Sequence, residues 1–514
     1  MRYLRLRLRS SILLSITIFV IVFITLHILI WSTNEFELLE KTPESVPKPP
    51  VAISFLSALD QPNIYDLKAS QSHKLNKHSS YITSHRIHEL FQLVRTTRNN
   101  QLKSNSINST WNFGKFIPKK LPTHNNNTKT NVDTVDSVTM KEKNHKLQFN
   151  ITTTAKIMNE QDKIQLRHFI HHTLTKWKAD HENDKYVNLA DIMHDGLAQD
   201  EPELNTTWFK YIKTVTNSHV YNPNTPEFKH LLNHLQNGKI SEASEMSQGT
   251  QIKVILNLPN GFQGLLKPYR VPRNYQTQPD HFYFSDIERH HAEIAAFHVD
   301  KVLGFNRVPP LIGRLLNITS DQLEGSVQVL LPRPPEVDWQ KISHPYRRSY
   351  SATRTAQWET NENYCYEHVM IDEDYHNRLL LDMMDLAAFD FLIGNLDRHH
   401  MMRISAFGIN TALVHLDNGR SFGRYDADDL SILAPIRQCC FFRYSTFARL
   451  YRVYNKGLSK LVSDSLNTTE LLQMILVNEH LIAIDRRLEI LFSQIDICIK
   501  TYTVQGVMID DGID

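Results

Sequence analysis

Four charged residues in the second half of the chain have types and positions that suit phosphoryl transfer. Lys267 stands near the end of the apolar segment GLLKPY, and Glu288 follows 21 residues later. Asp397 comes directly after the apolar segment FDFLIGNL, and Asp417 ends the segment ALVHL 20 residues further on. A fixed lysine can hold nucleotide phosphates, and carboxylates can bind a divalent metal or accept the proton of an attacking hydroxyl. In this order the four residues predict phosphoryl-transfer chemistry.

Each of these residues also has a simpler interpretation. A lysine at the end of a strand is usually just solvated. The segment Ser285-Asp-Ile-Glu288 matches a helix capping box, which would place Glu288 in the first turn of a helix. Asp417-Asn-Gly is also the chemistry of a tight turn. The prediction therefore depends on the order of the whole set, and no single member carries it.

The elements that must position these residues can be predicted from hydrophobic spacing. Strands are expected on both sides of the Pro-Asn-Gly turn in GTQIKVILNLPNGFQGLLKPY, and then near 313–317 and 325–331. Helices are expected at 160–177, 226–237, within SDIERHHAEIAAFHVDKVLGF, and at 378–395, 443–463, 468–477 and 479–501. Strands, one helix, further strands and then helices are the order of an atypical two-lobed protein kinase. The predicted fold class is α+β.

The N-terminal part of the chain predicts a membrane anchor and a stem. The 20 residues of 12–31 are apolar apart from a few Ser, Thr and His residues, and at about 1.5 Å per residue they span about 30 Å, the thickness of a bilayer core. Four arginines precede this segment and three glutamates follow it, so the N-terminus is expected in the cytosol and the remainder in the lumen. A cleaved signal peptide is the alternative, but the apolar run is long for one.

These boundaries give the following organisation. We predict a cytosolic tail at 1–11, a signal-anchor at 12–31, a disordered lumenal stem at 32–150, a kinase-like domain at 151–506 and a tail at 507–514. Within the domain, the small lobe covers about 151–331 and the large lobe about 332–506. The stem is predicted to be disordered because it is polar and shows no sustained apolar period.

A lumenal location gives meaning to sequons and cysteines. The glycan acceptors predicted from Asn-x-Ser/Thr sequons are Asn108, Asn126, Asn150, Asn205, Asn317 and Asn467. The four cysteines are Cys365, Cys439, Cys440 and Cys498. Because adjacent cysteines can hardly bridge each other, we favour the pairs Cys365–Cys439 and Cys440–Cys498, while the exchanged pairing stays open.

Composition excludes several classes of protein. Lys and Arg number 57 and Asp and Glu 55, so the chain lacks the basic excess that binds nucleic acid. Charged residues at 22% exclude a multispan membrane protein. The paired histidines at 290–291 and 399–400 lack the spacing of a zinc site, and we expect none there.

At this point a family resemblance can be stated. The chain resembles the secretory-pathway kinases of the "family with sequence similarity 20" group, which includes the Golgi casein kinase and the glycosaminoglycan xylosylkinase. The resemblance covers roughly 205–505. It is carried by GTQIKV, LLKPY, FYFSDIERHHAEIAAFHVDKVLGFNRVPP, EGSV, PYRRSY, FDFLIGNLDRHH, HLDNGRSFGRY and SILAPIRQCC.

The resemblance implies a type II Golgi membrane protein, released by stem cleavage or retained, that uses ATP and Mn²⁺. It implies that Asp397 is the catalytic base and that Glu288 and Asp417 bind the metal. The residues implied to contact ATP are Gln251, Lys267, Asp417 and the hinge residues Val329, Leu330, Leu331 and Pro332. Secreted proteins would be substrates, and another family member could be a dimer partner.

Details of the sequence favour the casein-kinase branch, which phosphorylates serine in Ser-x-Glu contexts. A xylose kinase of proteoglycan linkers and a pseudokinase that activates a family partner are the alternatives. Two departures bear on activity. The family carries a cysteine-containing stretch of several tens of residues before EGSV, whereas here only 319–323 precede Glu324. Five residues after Asp397 the family carries a nucleotide- or metal-contacting Glu, where this chain has Met402.

Overall fold

The structure is a computed structural model that describes residues 82–105, 158–181, 187–193, 206–246, 251–279, 281–318 and 321–512. All of these belong to one compact unit, Ser80–Asp514. The predicted signal-anchor at 12–31 lies outside the described residues. Within the described ranges no helix is both long and apolar enough to cross a membrane. Of the six sequons, only Asn317 and Asn467 start in the described part of the chain, and both are exposed.

A helix lies inside the segment that we predicted to be a disordered stem, so that prediction was wrong for this part. Helix α1 is Ser84–Asn105. It buries Ile87, Leu90 and Val94 almost completely. On the same helix Phe91 stacks on Tyr451 with ring centroids 3.8 Å apart. Its apolar face was missed because only a few residues carry it and the rest of the helix is polar.

This docking predicts a stability effect that can be measured on one helix. We expect Leu90→Ala to lower the free energy of unfolding by about 2–5 kcal/mol, because it removes a fully buried leucine. The matched control is Leu93→Ala on the same helix, where the side chain is 44% exposed and the expected change is below about 0.5 kcal/mol. Thermal unfolding of the full chain measures both. Equal melting temperatures for the two variants would show that α1 does not dock.

The predicted small-lobe segment contains one antiparallel sheet and several helices, the first of which contacts the large lobe. Its elements in chain order are α2 Glu160–His181, α3 Leu189–Met193, α4 Thr207–Ile212, α5 Pro226–Asn237, β1 Glu242–Glu245, β2 Val254–Asn257, β3 Gln263–Pro268, α6 His290–Leu303, β4 Leu311–Ile318 and β5 Asp321–Val329. The strand order is β1-β2-β3-β5-β4. Thr225 caps α5 by accepting a hydrogen bond from the Phe228 N–H, and Pro226 pre-forms its first turn. The strands predicted around the Pro-Asn-Gly turn are confirmed.

The strands on either side of the short link before Glu324 pair with each other. Strands β4 and β5 pair along their whole length, from Leu311 opposite Gln328 to Ile318 opposite Asp321. The two strands therefore need no inserted segment in order to pair.

The large lobe is mostly helical. Its elements are β6 Gln340–Ser343, α7 Gln357–Thr360, α8 Arg378–Ile393, β7 His400–Arg403, β8 Leu413–Val414, α9 Ala434–Cys439, β9 Phe442–Arg443, α10 Tyr444–Lys456, α11 Leu458–Thr469, α12 Asn478–Val507 and β10 Met508–Ile509. Helix α8 is buried along its whole length. Its carboxylates Asp382 and Asp385 are paired with the buried guanidinium of Arg443, which offsets the cost of burying them.

Two helix predictions in this lobe were wrong. The single helix expected at 443–463 is broken at Gly457, which has φ 80° and separates α10 from α11. The segment 470–477 is irregular because Glu470 reaches out of it to accept a hydrogen bond from Gly313 N–H, and Leu472 packs against the same glycine. The regular part of helix α12 ends close to the predicted end at 501, because Thr503 has non-helical backbone angles of φ 65° and ψ 168°.

Both favoured disulfides are confirmed. Cys365 bonds Cys439 and Cys440 bonds Cys498. The guanidinium of Arg167 on α2 donates hydrogen bonds to the carbonyls of Cys439 and Cys440 at 2.6 and 2.5 Å. This contact ties α2 to the disulfide-bonded region of the large lobe.

Candidate active site

Lys267 is at the centre of a cluster of opposite charges. Strand β3 places its side chain in a buried position, where the ammonium donates a hydrogen bond to Glu293. The same Nζ atom lies 3.3 Å from Glu288 Oε2 and 3.5 Å from Asp417 Oδ1. Burial alone would lower the pKa of Lys267, but Glu293, Asp417 and Glu288 together raise it above its usual value. The lysine is therefore a permanent, fixed cation.

Glu293 is the functional residue that sequence reasoning missed. It lies in the first turn of α6 and is 1% exposed. One carboxylate oxygen pairs with Lys267, and the other accepts a hydrogen bond from the Asn418 N–H at 3.3 Å. A glutamate inside the apolar stretch AEIAAF was the available signal, since a buried carboxylate needs a charged partner. Glu293 thus links β3, α6 and the loop after β8.

Glu288 contacts Lys267 as expected, but its predicted position in a capping box was wrong. Helix α6 begins at His290, and Arg289 is its N-cap with extended backbone. The backbone N–H of Arg289 donates to the carbonyl of Gly419 at 2.7 Å, and its guanidinium donates to Asp286. Because of these contacts the chain stays extended through Arg289, and the helix begins about one turn later than the capping-box pattern indicated. Glu288 therefore enters the cluster from a loop.

Helix α6 is fixed to the large lobe by a buried glutamate. Glu470 follows α11, and its Oε1 atom lies 3.0 Å from Nε2 of His298 on α6. Its Oε2 atom accepts a hydrogen bond of 2.7 Å from Gly313 N–H on β4. Burial lowers the pKa of His298, so the neutral ring donates from Nε2, while Nδ1 lies 2.8 Å from the Ser465 hydroxyl. One carboxylate therefore positions both the helix that carries Glu293 and the edge strand of the sheet.

We expect Glu470→Ala to lower the free energy of unfolding by about 2–5 kcal/mol, because two buried donors lose their acceptor. The apparent KM for ATP should rise in the same variant, because α6 carries Glu293. Thermal unfolding and steady-state kinetics measure the two effects. Glu479→Ala is the exposed control and should change neither by much. A stable, fully active Glu470→Ala protein would contradict this role.

Asp417 lies in an open position in the loop after β8. Its backbone has φ 55°, and its side chain is 75% exposed. The protein around it disfavours the charged form, but the ammonium groups of Lys267 and Lys253 and the guanidinium of Arg398 lower its pKa below the usual range. Gly419 follows closely, and a Cβ atom there would come within 3.1 Å of both Glu288 and Glu293. A glycine is needed for the loop to approach these two carboxylates.

Asp397 lies in the loop between α8 and β7. Its Oδ2 atom accepts a hydrogen bond of 2.6 Å from Arg420, and its Oδ1 atom lies 2.8 Å from His399 Nε2. The neighbouring Arg398 donates to Asp390 on α8 and to Asn418 Oδ1. Arg398 thereby ties the Asp397 loop to the Asp417 loop. Asp397 is 22% exposed and can meet an incoming hydroxyl.

The predicted nucleotide contacts lie on the small-lobe side. Leu330 N–H donates to Gln263 O at 2.9 Å, and Pro332 O accepts from the Trp339 indole at 2.8 Å. The Leu330 N–H and the Pro332 carbonyl are thus already hydrogen-bonded within the protein. Leu331 lies between them, so its backbone is the candidate hinge contact to a nucleotide. The Oε1 atom of Gln251 is buried and accepts no hydrogen bond from the described residues. This orphaned oxygen fits a contact to a bound ligand.

The residues present fit a divalent metal held together with phosphates. Glu288 and Asp417 both approach the Lys267 ammonium and offer hard oxygen ligands. Within the described ranges no group of three or more His, Cys, Asp or Glu residues could hold a metal by itself. A metal here would need further ligands from nucleotide or water. Met402 lies on β7, where it pairs with Lys341 of β6 and Val414 of β8. Its thioether is a poor ligand for Mn²⁺.

Comparison with known proteins agrees with this fold. A family model described as Golgi casein kinase, C-terminal, Fam20 matches residues 206–322 and 319–507. The human extracellular serine/threonine protein kinase FAM20C is 36% identical over 352 residues, 60% of each chain. The Caenorhabditis elegans kinase CeFam20 is 35% identical over 375 residues, 64% of this chain and 73% of that protein. The Golgi casein kinase with Mn/ADP bound superposes with a TM-score of 0.60 at 33% identity, covering 70% of this chain and 94% of that one.

The chain therefore belongs to the Fam20 family of secretory kinases. ATP and Mn²⁺ are the cofactors of this kinase family. The chain spans about 60% of the length of the human relative. The human glycosaminoglycan xylosylkinase and the human pseudokinase FAM20A are also similar, at 32% and 33% identity. The relatives thus include protein kinases, a sugar kinase and a pseudokinase.

Proposed function

We propose that this protein is an ATP- and manganese-dependent kinase that phosphorylates serine in Ser-x-Glu contexts of secreted proteins. One observation carries the proposal. The Lys267 ammonium meets Glu288, Glu293 and Asp417, and Arg398 and Arg420 connect this cluster to Asp397. The arrangement combines a cation and metal ligands in one cluster with a candidate base connected to it.

Each residue has a role in the proposed reaction. Lys267, Gln251 and the hinge at 329–332 would hold the nucleotide. Glu288 and Asp417 would hold Mn²⁺, which supplies positive charge to the phosphates. Asp397 would orient the serine hydroxyl and accept its proton as the oxygen attacks the γ-phosphorus, and the bond to the bridging oxygen breaks to release ADP. Arg420 and His399 hold Asp397 in place for this step.

We further propose a lumenal location in the Golgi. The supporting features are the apolar segment 12–31 with its flanking charges, the two disulfides, which suit an oxidising compartment, and the extracellular kinases among the relatives. Cleavage in the stem would release the kinase for secretion. Glycans at the six sequons and a dimer with another family member remain parts of this proposal.

The test follows labelled phosphate from ATP with Mn²⁺, using the full chain produced in a eukaryotic secretory pathway. A Ser-x-Glu peptide and a xylose-containing linker sugar are offered in parallel, with Asp417→Asn as the inactive control. Transfer to the peptide is the expected result. Transfer to the sugar alone would replace the proposal with a xylose kinase. Absence of transfer from a folded protein would favour a pseudokinase, with Met402 as the first residue to restore to Glu.

A further inference from the structure

The segment 341–354 is cationic and lies against the candidate catalytic loop. It contains four Lys or Arg residues and neither Asp nor Glu, although the whole chain has 57 basic and 55 acidic residues. A run of one sign of charge in an otherwise balanced chain creates a local field that attracts the opposite sign. The position of the segment decides what that field acts on.

Hydrogen bonds and ring contacts join this segment to the residues that follow Asp397. Ser343 pairs with His400 in the ladder of β6 and β7, and the His344 N–H donates to His399 O at 2.9 Å. Tyr350 stacks on His399 with ring centroids 4.3 Å apart. Because His399 itself lies 2.8 Å from Asp397, this segment borders the candidate catalytic loop.

Three of the four cations, Lys341, Arg347 and Arg354, have no acidic partner among the described residues, and Lys341 and Arg347 are the two of these whose charges act on His400. Arg348 is committed, since it hydrogen-bonds Ser431 and lies 3.7 Å from Asp429. In contrast, Lys341 and Arg347 are exposed and make no ion pair with any carboxylate of the described ranges. We call these two residues the cationic pair.

Lys341 lies on the same sheet face as His400, and the charges of both members of the cationic pair act on the His400 ring. Strand alternation places Met401 in the core, where it is 1% exposed, so His400 points to the opposite face together with Lys341. Burial and then the charges of Lys341, His399 and Arg347 lower the pKa of His400, while Asp417 opposes this shift. The ring is therefore within electrostatic reach of both cations and of Asp417.

We propose that Lys341 and Arg347 form an anion subsite that binds an acidic side chain of the acceptor, a carboxylate or a phosphate, beside the serine to be phosphorylated. This inference rests on the proposed function and assigns residues to its substrate preference. Two uncompensated cations favour an anionic peptide over a neutral sugar as the acceptor. Arg347 offers a planar fork suited to either oxyanion, and Lys341 adds a point charge.

The experiment uses the full chain with the double variant Lys341→Ala/Arg347→Ala. Three peptides are compared that differ only two residues after the serine, with Glu, phosphoserine or Gln at that position. We expect the double variant to raise KM for the Glu peptide about tenfold, since each exposed pair is worth up to about 1 kcal/mol. The rise in KM should be larger for the phosphoserine peptide, because phosphoserine carries more negative charge than Glu. The KM for ATP and the kinetics with the Gln peptide should change less than about twofold.

Controls separate this subsite from general effects. The double variant Lys456→Ala/Lys460→Ala removes two exposed cations from α10 and α11 and should behave like the parent. Arg347→Lys should keep the preference for the Glu peptide over the Gln peptide. It should reduce the preference for the phosphoserine peptide over the Gln peptide. Raising the ionic strength should reduce the preference of the parent for acidic peptides.

Three results would overturn the inference. An equal loss with the Glu and Gln peptides would make the pair structural, and a selective rise in KM for ATP would assign it to the nucleotide. The inference would also be wrong if the protein preferred a neutral sugar as acceptor and the double variant did not change that preference. If the parent transfers phosphate to no acceptor, the proposed function fails. The inference is then judged by peptide binding alone, where the double variant must abolish any preference for Glu over Gln.

Discussion

Replacing Asp417 by asparagine is expected to lower kcat by about a thousandfold or more while the protein stays folded. The carboxylate is open to the cleft and lies 3.5 Å from the ammonium groups of both Lys253 and Lys267. An amide keeps the shape but loses the charge that binds a metal and balances these cations. Asparagine is a cleaner replacement than alanine because the residue has φ 55°, a conformation that asparagine tolerates.

The measurement is single-turnover transfer of labelled phosphate, together with thermal unfolding in the presence and absence of ATP and Mn²⁺. The parent should be stabilised by ATP and Mn²⁺ together, and Asp417→Asn should lose most of that stabilisation. Asp464→Asn on an exposed part of α11 is the matched control and should retain both properties. Undiminished transfer by Asp417→Asn would refute the assignment of this residue as a metal ligand.

Replacing Asp397 by asparagine should lower kcat by about 10²–10⁴-fold with a different signature. This side chain contacts Arg420 and His399, whereas Lys267 pairs with Glu288, Glu293 and Asp417. Because the lysine cluster is untouched, ATP and Mn²⁺ should still stabilise the variant against thermal unfolding. Loss of turnover with retained nucleotide binding distinguishes a base from a metal ligand.

Asp426→Asn is the control for this change, since Asp426 is an exposed aspartate paired only with the nearby Arg424 among the described residues. Its kinetics should match those of the parent within about twofold. Should Asp397→Asn bind ATP and Mn²⁺ as weakly as Asp417→Asn does, the two aspartates would share one role. The division of the site into a base and a metal ligand would then be wrong.

Local sequence patterns predicted most of the fold. The helices at 226–237 and 378–393 and the strands on both sides of Pro-Asn-Gly were predicted to within a few residues, because their apolar spacing, caps and turn residues agree. Errors arose where local signals and tertiary contacts disagree. The predicted capping box at Ser285 does not form, because Arg289 instead donates a backbone hydrogen bond to Gly419. The helix expected at 468–477 does not form because of the contacts of Glu470.

The site was predicted in part for a related reason. Lys267 and Asp417 lie at the ends of apolar segments and Glu288 follows Lys267 in the expected order, and the structure brings all three together. Glu293 gave only a weak signal, because a glutamate within a helix is ordinary until its burial is known. Its pairing with Lys267 became visible only when β3 and α6 were placed side by side.

The sequence by itself determined the fold class and the order of the charged residues along the chain, and it reduced the disulfide pairing to two alternatives. Those properties follow from residue type and spacing, which local physics converts into strands, helices and turns. Only the tertiary structure decided which carboxylate neutralises Lys267, that a helix from the predicted stem docks on the large lobe, and that Lys341 and Arg347 lack acidic partners. Pairing between residues far apart in sequence depends on how elements pack, and spacing along one segment carries no information about that.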